Sequence, residues 1–244
     1  MTSETQADTL KYIYKFKFAN GTEKKFEVTL DSKSLDLLMD KGSAKPEWTK
    51  LKYEQCENCP LADDVEYCPV AVSLSNVVEE FADAISFETA SVTVETSERS
   101  YVKHSTLQKG LSSLVGVIMA TSGCPTMDKL RPMARFHLPF ATQLETFYRV
   151  LSMYLTAQFI RTRDGKTPDW NLTKLVDIYK NISQVNKGVS RRLSAASNKD
   201  ANMNALVILH AMGEAIPYYI ESGIASLTDF FSTYTRDHEP TEGA

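Results

Sequence analysis

Between Lys11 and Phe18 the chain reads KYIYKFKF, which places Tyr12, Tyr14, Phe16 and Phe18 on one face of an extended strand and Lys11, Lys15 and Lys17 on the other, with Ile13 the exception. Asn20-Gly21 follows, the dipeptide that most readily takes the positive φ of a tight hairpin, and Phe26, Val28 and Leu30 then alternate with Lys25, Glu27 and Thr29. A second alternating pair, Ser91–Thr96 and Ser100–Ser105, turns around Ser97-Glu98-Arg99. An isolated hairpin is marginal in water, so the two hairpins predict one four-stranded antiparallel sheet with a shared apolar face. Between them Leu74, Val77, Val78, Phe81, Ala82 and Ile85 recur at helical spacing, which predicts an amphipathic helix from about Ser75 that covers that face.

Beyond Ser105 the strand pattern stops and the helical period takes over. Leu107, Leu111, Leu114, Val115, Ile118 and Met119 form one stripe, interrupted by Gly110 and Gly116, with Gly123 placed to cap its C-terminus. Thr142-Gln-Leu-Glu145 has the spacing of a capping box, and Leu144, Phe147, Leu151, Tyr154, Leu155, Gln158 and Phe159 follow it along one face. After the turn RTRDGKTPDW, Leu172, Leu175, Tyr179, Ile182, Val189, Leu193 and Ala196 mark another long helix. A last stretch runs from Asp200 to about Phe231, apolar nearly all round between Ala205 and Ile216, and Pro217 is expected to kink or split it. The expected fold is α+β: residues 1–105 supply an antiparallel sheet of two hairpins with a Cys-rich loop and a covering helix, and 106–235 an α-helical bundle region. The two form one compact unit, and 236–244 is a frayed tail.

The 244 residues are 43% hydrophobic and carry a net charge of −4, which excludes disorder and disfavours a nucleic-acid partner. The aromatics of the first strand do not reverse this, because its lysines lie on the opposite face from its rings, whereas an RNA-reading sheet presents the two together. No apolar run approaches the roughly 18–20 residues of a membrane span, and the N-terminus lacks a basic start and apolar core, so a cytoplasmic location is expected. A protein partner stays open.

The candidate chemistry lies in the four cysteines. Cys56 and Cys59 form a Cys-x2-Cys pair, Cys68 comes nine residues later and Cys124 a further 56 on, and Cys59, Cys68 and Cys124 each precede a proline although the chain has only nine. Cys-x2-Cys is the half-site of four-thiolate zinc centres, and Cys-Pro steps recur at iron–sulfur ligands. The polar loop around Cys56, Cys59 and Cys68 offers little apolar surface to bury ordinary thiols. The set therefore points to a structural zinc site, with a 4Fe-4S cluster as the alternative, linking the loop to the first helix of the bundle.

After Cys124, the segment CPTMDKLRPMARFHLPFA sets Arg131, Arg135 and His137 in an apolar stretch. His137 is a candidate fourth metal ligand or a base beside a Cys124 thiolate, and Arg131 and Arg135 are candidates for an anion clamp. The plainer expectation pairs the arginines with acids such as Glu145 and makes His137 a hydrogen-bonded core residue. His210 and Glu214 share a helix face, but no Glu-x-x-His motif accompanies them, and they are expected to be satisfied within a buried helix together with Asn202 and Asn204.

The segments WTKLKYEQCENCPL, YCPVAVSL, ETSERSYVKHSTLQKGLSSLVGVIMATSGCP and LRPMARFHLPFA resemble, over roughly Leu10 to Phe231, a bacterial protein family whose domain has no assigned function. That resemblance implies a bacterial, cytoplasmic protein and implies no activity or site residues. The expected role is a metal-binding, non-enzymatic binding or regulatory module, the rival being an iron–sulfur or thiol-dependent redox protein that uses Cys124 with Arg131, Arg135 and His137. A small-molecule pocket inside the helical region is a third possibility.

Overall fold

A computed structural model describes residues 8–39, 45–196, 199–220 and 225–235. Strands β1 (Thr9–Phe18), β2 (Glu23–Asp31), β3 (Thr89–Glu95) and β4 (Ser100–Thr106) form one antiparallel sheet in the order β2-β1-β3-β4. Gly21 turns the first hairpin at φ +85°. β1 is central, pairing Tyr14 with Phe26 on one side and Phe16 with Val92 on the other. Its four aromatics are buried as the alternation predicts, Tyr14 and Phe16 completely. On the outer face Lys11 pairs with Glu27 and Lys15 with Glu95, each at 2.7 Å.

Helix α1 (Pro69–Glu80) follows Cys68, its N-cap, because a proline at the first helical position has its φ preset and no N–H to leave unpaired. The predicted start near Ser75 is therefore too late. The helix also ends before Ile85, which is exposed rather than part of the stripe. Phe81, just past its end, packs edge-on to Phe16 with ring centroids 5.3 Å apart and stacks on Phe26 at 5.4 Å.

The helical half consists of α2 (Leu107–Thr121), a 3-10 turn (Met127–Leu130) running into the short α3 (Arg131–Arg135), α4 (Gln143–Arg163), α5 (Thr173–Ala196) and α6 (Ala201–Tyr218). Gly123, at φ +84°, follows α2, and Thr142 and Glu145 form the expected capping box at the start of α4. α4 buries Phe147, Val150, Tyr154 and Gln158, whereas the predicted Leu144 and Phe159 are exposed. α6 ends at Tyr218 with Pro217 in its last turn, followed by the four-residue α7 (Ala225–Thr228) and α8 (Ser232–Thr235). It is corrected in one respect: it is not apolar-buried all round, since Val207 is exposed. The expected tail 236–244 lies outside the described residues.

One hydrophobic core runs through both halves, from β1 and α1 to α2, α5 and α6. The start of α6 is tied to the segment after α1: the Asp200 carboxylate accepts the Ser86 N–H at 2.9 Å and hydroxyl at 2.8 Å, and Asn202 donates to the Val78 carbonyl at 3.0 Å. α2 rests on the sheet at Gly110, where a Cβ would stand 2.8 Å from Val92 Cγ2 and 2.9 Å from Phe16 Cε1. Among the described residues no helix is long and apolar enough to cross a membrane.

Alanine normally stabilises a helix interior by about 1 kcal/mol relative to glycine. Gly110→Ala should instead lower stability by about 1–3 kcal/mol, because the sheet cannot recede. Gly213→Ala on α6, whose added Cβ would meet nothing closer than 3.8 Å, should raise it. Denaturant unfolding of the two variants checks the contrast, and a stabilised Gly110→Ala would refute the close approach.

Candidate functional site

Two neighbourhoods gather chemistry. The first is the cysteine loop, residues 51–67, closed at its neck by an antiparallel bridge between Lys50 and Tyr67. There the Cys68 N–H also donates to the Thr49 carbonyl at 2.8 Å. The loop lies along α5: Asn58 donates to the Asn181 carbonyl at 3.0 Å, Glu54 pairs with Arg191 at 2.9 Å, and Cys56 sits against Gly188, where a Cβ would be 2.5 Å from its Sγ. Arg192, 1% exposed, reaches from α5 into the neck and donates to the carbonyls of Trp48 and Lys50 at 2.7 Å and of Leu51 at 2.8 Å, while its Nε is buried without a partner.

All four thiols are free. Burial pushes the Cys56 thiol up to about 11; Cys68, Cys59 and Cys124 push in the same direction, and the Arg192 charge opposes them. Burial likewise raises Cys124, against the N–H groups of Met127 and Thr126 that draw it down, and Cys68 and Cys59 add to the rise. Both shifts favour the neutral thiol. The four cysteines are not assembled as a ligand set: among the described residues no three His, Cys, Asp or Glu side chains are placed to hold a metal ion. The expectation that the loop has no apolar surface for its thiols is also corrected. Cys68 and Cys124 belong to the core, and Cys56 and Cys59 pack against it, because the fold lays the loop on α5.

Arg131, Arg135 and His137 make no hydrogen bond to Cys124. Arg131 pairs with Asp36 at 2.6 Å and Asp128 at 2.7 Å, not with Glu145, whose carboxylate is spent on its own helix cap. Arg135 lies over the Phe136 ring. His137 is the hydrogen-bonded core residue of the plainer expectation, with Nε2 at 2.5 Å from the Tyr14 hydroxyl and 3.4 Å from Ser113 Oγ. Burial and the nearby Arg149 charge push its pKa down to about 3, so the ring is neutral, while burial holds Tyr14 as the phenol. Tyr14 can then donate to Nε2 and accept from Ser113, 3.2 Å away. The pairing expected for His210 and Glu214 is not found: His210 Nδ1 is buried without a partner, and Glu214 is exposed.

His137 borders the second neighbourhood, a partly open cavity of about 180 Å³ lined by residues of α2, α3, α4, α5 and α6. Its walls are mostly apolar, with Gly116 and Gly213 making room and Met119, Met127, Met133 and Met212 contributing four of the chain's eight methionines. Its polar residues are Ser112, Ser113, His137, Thr146, Arg149, Tyr179 and Asn186, whose Oδ1 is buried without a partner among the described residues. A preformed apolar space with a few converging polar groups is the usual form of a small-molecule site. Arg149, Tyr179 and Asn186 were not legible as site residues in the sequence. Tyr179 belongs to an apolar stripe, and Arg149 follows an ordinary capping box.

The unfolded chain protonates His137 near pH 6.5 and the folded chain only near pH 3, so between these values the unfolded state holds the extra proton. The contribution is complete above about pH 6.5 and is lost as the pH falls, by about 2 kcal/mol from pH 7 to pH 5. His137→Gln, which cannot titrate and still offers Tyr14 an acceptor, should flatten the stability profile by that amount in paired urea titrations. Equal slopes would show that the wild-type imidazole titrates freely.

Neither the curated proteins nor the solved structures contain a match to this sequence. A family model described as a domain of unknown function, DUF6901, matches residues 12–232. The chain, with its hairpin sheet, its cysteine loop and its helical cavity, thus belongs to the family DUF6901.

Proposed function

We propose that this protein is a binding module whose helical half takes a small, largely apolar molecule into the cavity between α2, α5 and α6. The observation that carries the reading is the cavity itself: about 180 Å³ of space lined by adaptable methionines and a handful of polar groups, one of which, Asn186 Oδ1, lacks a partner. Apolar cavities of about 150 Å³ are large enough to hold a benzene ring, and methionine walls repack around ligands of different shape.

A second reading concerns the cysteines, and a separate observation favours it: the chain has four cysteines, the number of one complete thiolate ligand set, and the neck of the loop that carries Cys56 and Cys59 holds a buried guanidinium, Arg192, whose Nε has no partner among the described residues. In this reading the four thiolates bind one soft metal ion, zinc in first place and a 4Fe-4S cluster in second, with Arg192 offsetting the anionic charge. Such a site would form as the metal binds and would tie the loop to the start of the bundle.

Benzyl alcohol at about ten times its Kd should raise stability by about 1.4 kcal/mol, a shift of a few degrees in Tm. Gly213→Leu, which fills the cavity, should abolish that shift without lowering the Tm of the free protein. A wild-type protein indifferent to apolar-bodied compounds in a calorimetric screen refutes the cavity reading. For the cysteines, elemental analysis of protein purified anaerobically should find one zinc per chain, or a brown chromophore absorbing near 400 nm if the cluster is bound. Cys59→Ala should lose the metal and several degrees of Tm; metal-free wild type, or an unchanged variant, refutes the thiolate centre.

A further inference from the structure

Arg149 occupies a position that the apolar cavity does not by itself explain. Its Nη2 donates to the carbonyls of Met133 and Phe136, each at 2.9 Å, and among the described residues no carboxylate pairs with it. Glu145, one turn earlier on α4, is bound to the Thr142 N–H at 2.7 Å and hydroxyl at 2.9 Å. Arg149, Met133 and Tyr179 also line a second space, a largely apolar groove of about 560 Å³ over α3, α4 and α5 with Lys129 at its edge. These three side chains are the partition between the groove and the inner cavity. Tyr179 is buried there, 5% exposed, and among the described residues its hydroxyl has only the Met133 thioether, at 3.9 Å, to donate to.

A half-buried guanidinium without a carboxylate of its own is stabilised most by an anion that can accept two parallel N–H bonds, and a phenol with only a sulphur partner is a ready third donor. Sulfate or phosphate would bring two charges and a full hydration shell into an otherwise apolar space, whereas a monocarboxylate brings one charge and an apolar body. We infer that the cavity ligand is a small carboxylic acid, its carboxylate received by Arg149 and the Tyr179 hydroxyl at the partition and its apolar body, about six to eight carbon atoms, in the methionine-lined space behind. This rests on the cavity reading and names its ligand class.

Calorimetry on the intact protein with benzoate and hexanoate, each against its neutral partner benzyl alcohol or 1-hexanol, tests the inference. Wild type should bind each acid at least tenfold more tightly than its alcohol at pH 7. Arg149→Met should lose that tenfold preference while keeping the affinity for the alcohols, and Tyr179→Phe, which disturbs no carbonyl contact, should reduce it several-fold. Alcohols that bind as tightly as the acids overturn the carboxylate assignment and leave the cavity reading standing; binding of neither class overturns both. The wild-type comparison and Tyr179→Phe decide the matter even if Arg149→Met fails to fold.

Discussion

The structure depends on burying the aromatic face of β1 together with its two phenol hydroxyls. Tyr12 and Tyr14 are as enclosed as Phe16 and Phe18, yet each carries an oxygen whose loss from water must be matched inside the protein. Tyr12 meets this by donating to the Ala134 carbonyl at 2.7 Å, and Tyr14 by its contacts with His137 and Ser113. The proline-broken segment after Cys124 is thereby held against the sheet, although Tyr12 and Ala134 are 122 residues apart. α2 closes onto the same face, helped by the missing side chain at Gly110. The cavity lies behind this seam, and its position follows from where the phenols find partners.

Two arginines show the same economy of charge. Arg192 is buried and Arg149 half-buried, and both donate to backbone carbonyls rather than carboxylates. At Arg192 the carbonyls belong to the neck of the cysteine loop, so the residue staples that loop to α5. At Arg149 they belong to α3 and to Phe136 just after it, which fixes one wall of the cavity. Carbonyl partners satisfy N–H groups but leave the positive charge uncompensated. Each guanidinium therefore marks a place where an anionic group, a thiolate in one case and a carboxylate in the other, would meet a complementary field.

Much of the architecture was legible along the chain. The alternation in β1 and β2, the Asn20-Gly21 turn, the glycine ending α2 and the capping box of α4 are local patterns, and each reappears at its expected place. The failures have identifiable causes. The start of α1 was misplaced because the apolar stripe begins after the true N-terminus, which Cys68-Pro69 sets. Val207 was assigned to the interior on hydrophobicity alone, whereas α6 has buried neighbours on only part of its circumference. The cysteines were read as one ligand set, yet among the described residues they are not assembled into one, and the surface that covers Cys56 belongs to α5, more than a hundred residues away.

What the sequence determined by itself is the α+β order of elements, the inward face of each strand and the likeness to a family without an assigned role, because these rest on periodicity and on local backbone preference. What only the tertiary structure decided is which polar groups are left over once the core has closed. Arg149 lacks an acid because Glu145 is engaged at a helix end, and Asn186 Oδ1, buried inside the bundle, is left without a donor among the described residues. Such shortages are properties of the assembled packing, where every partner has been assigned, and no single stretch of chain contains them.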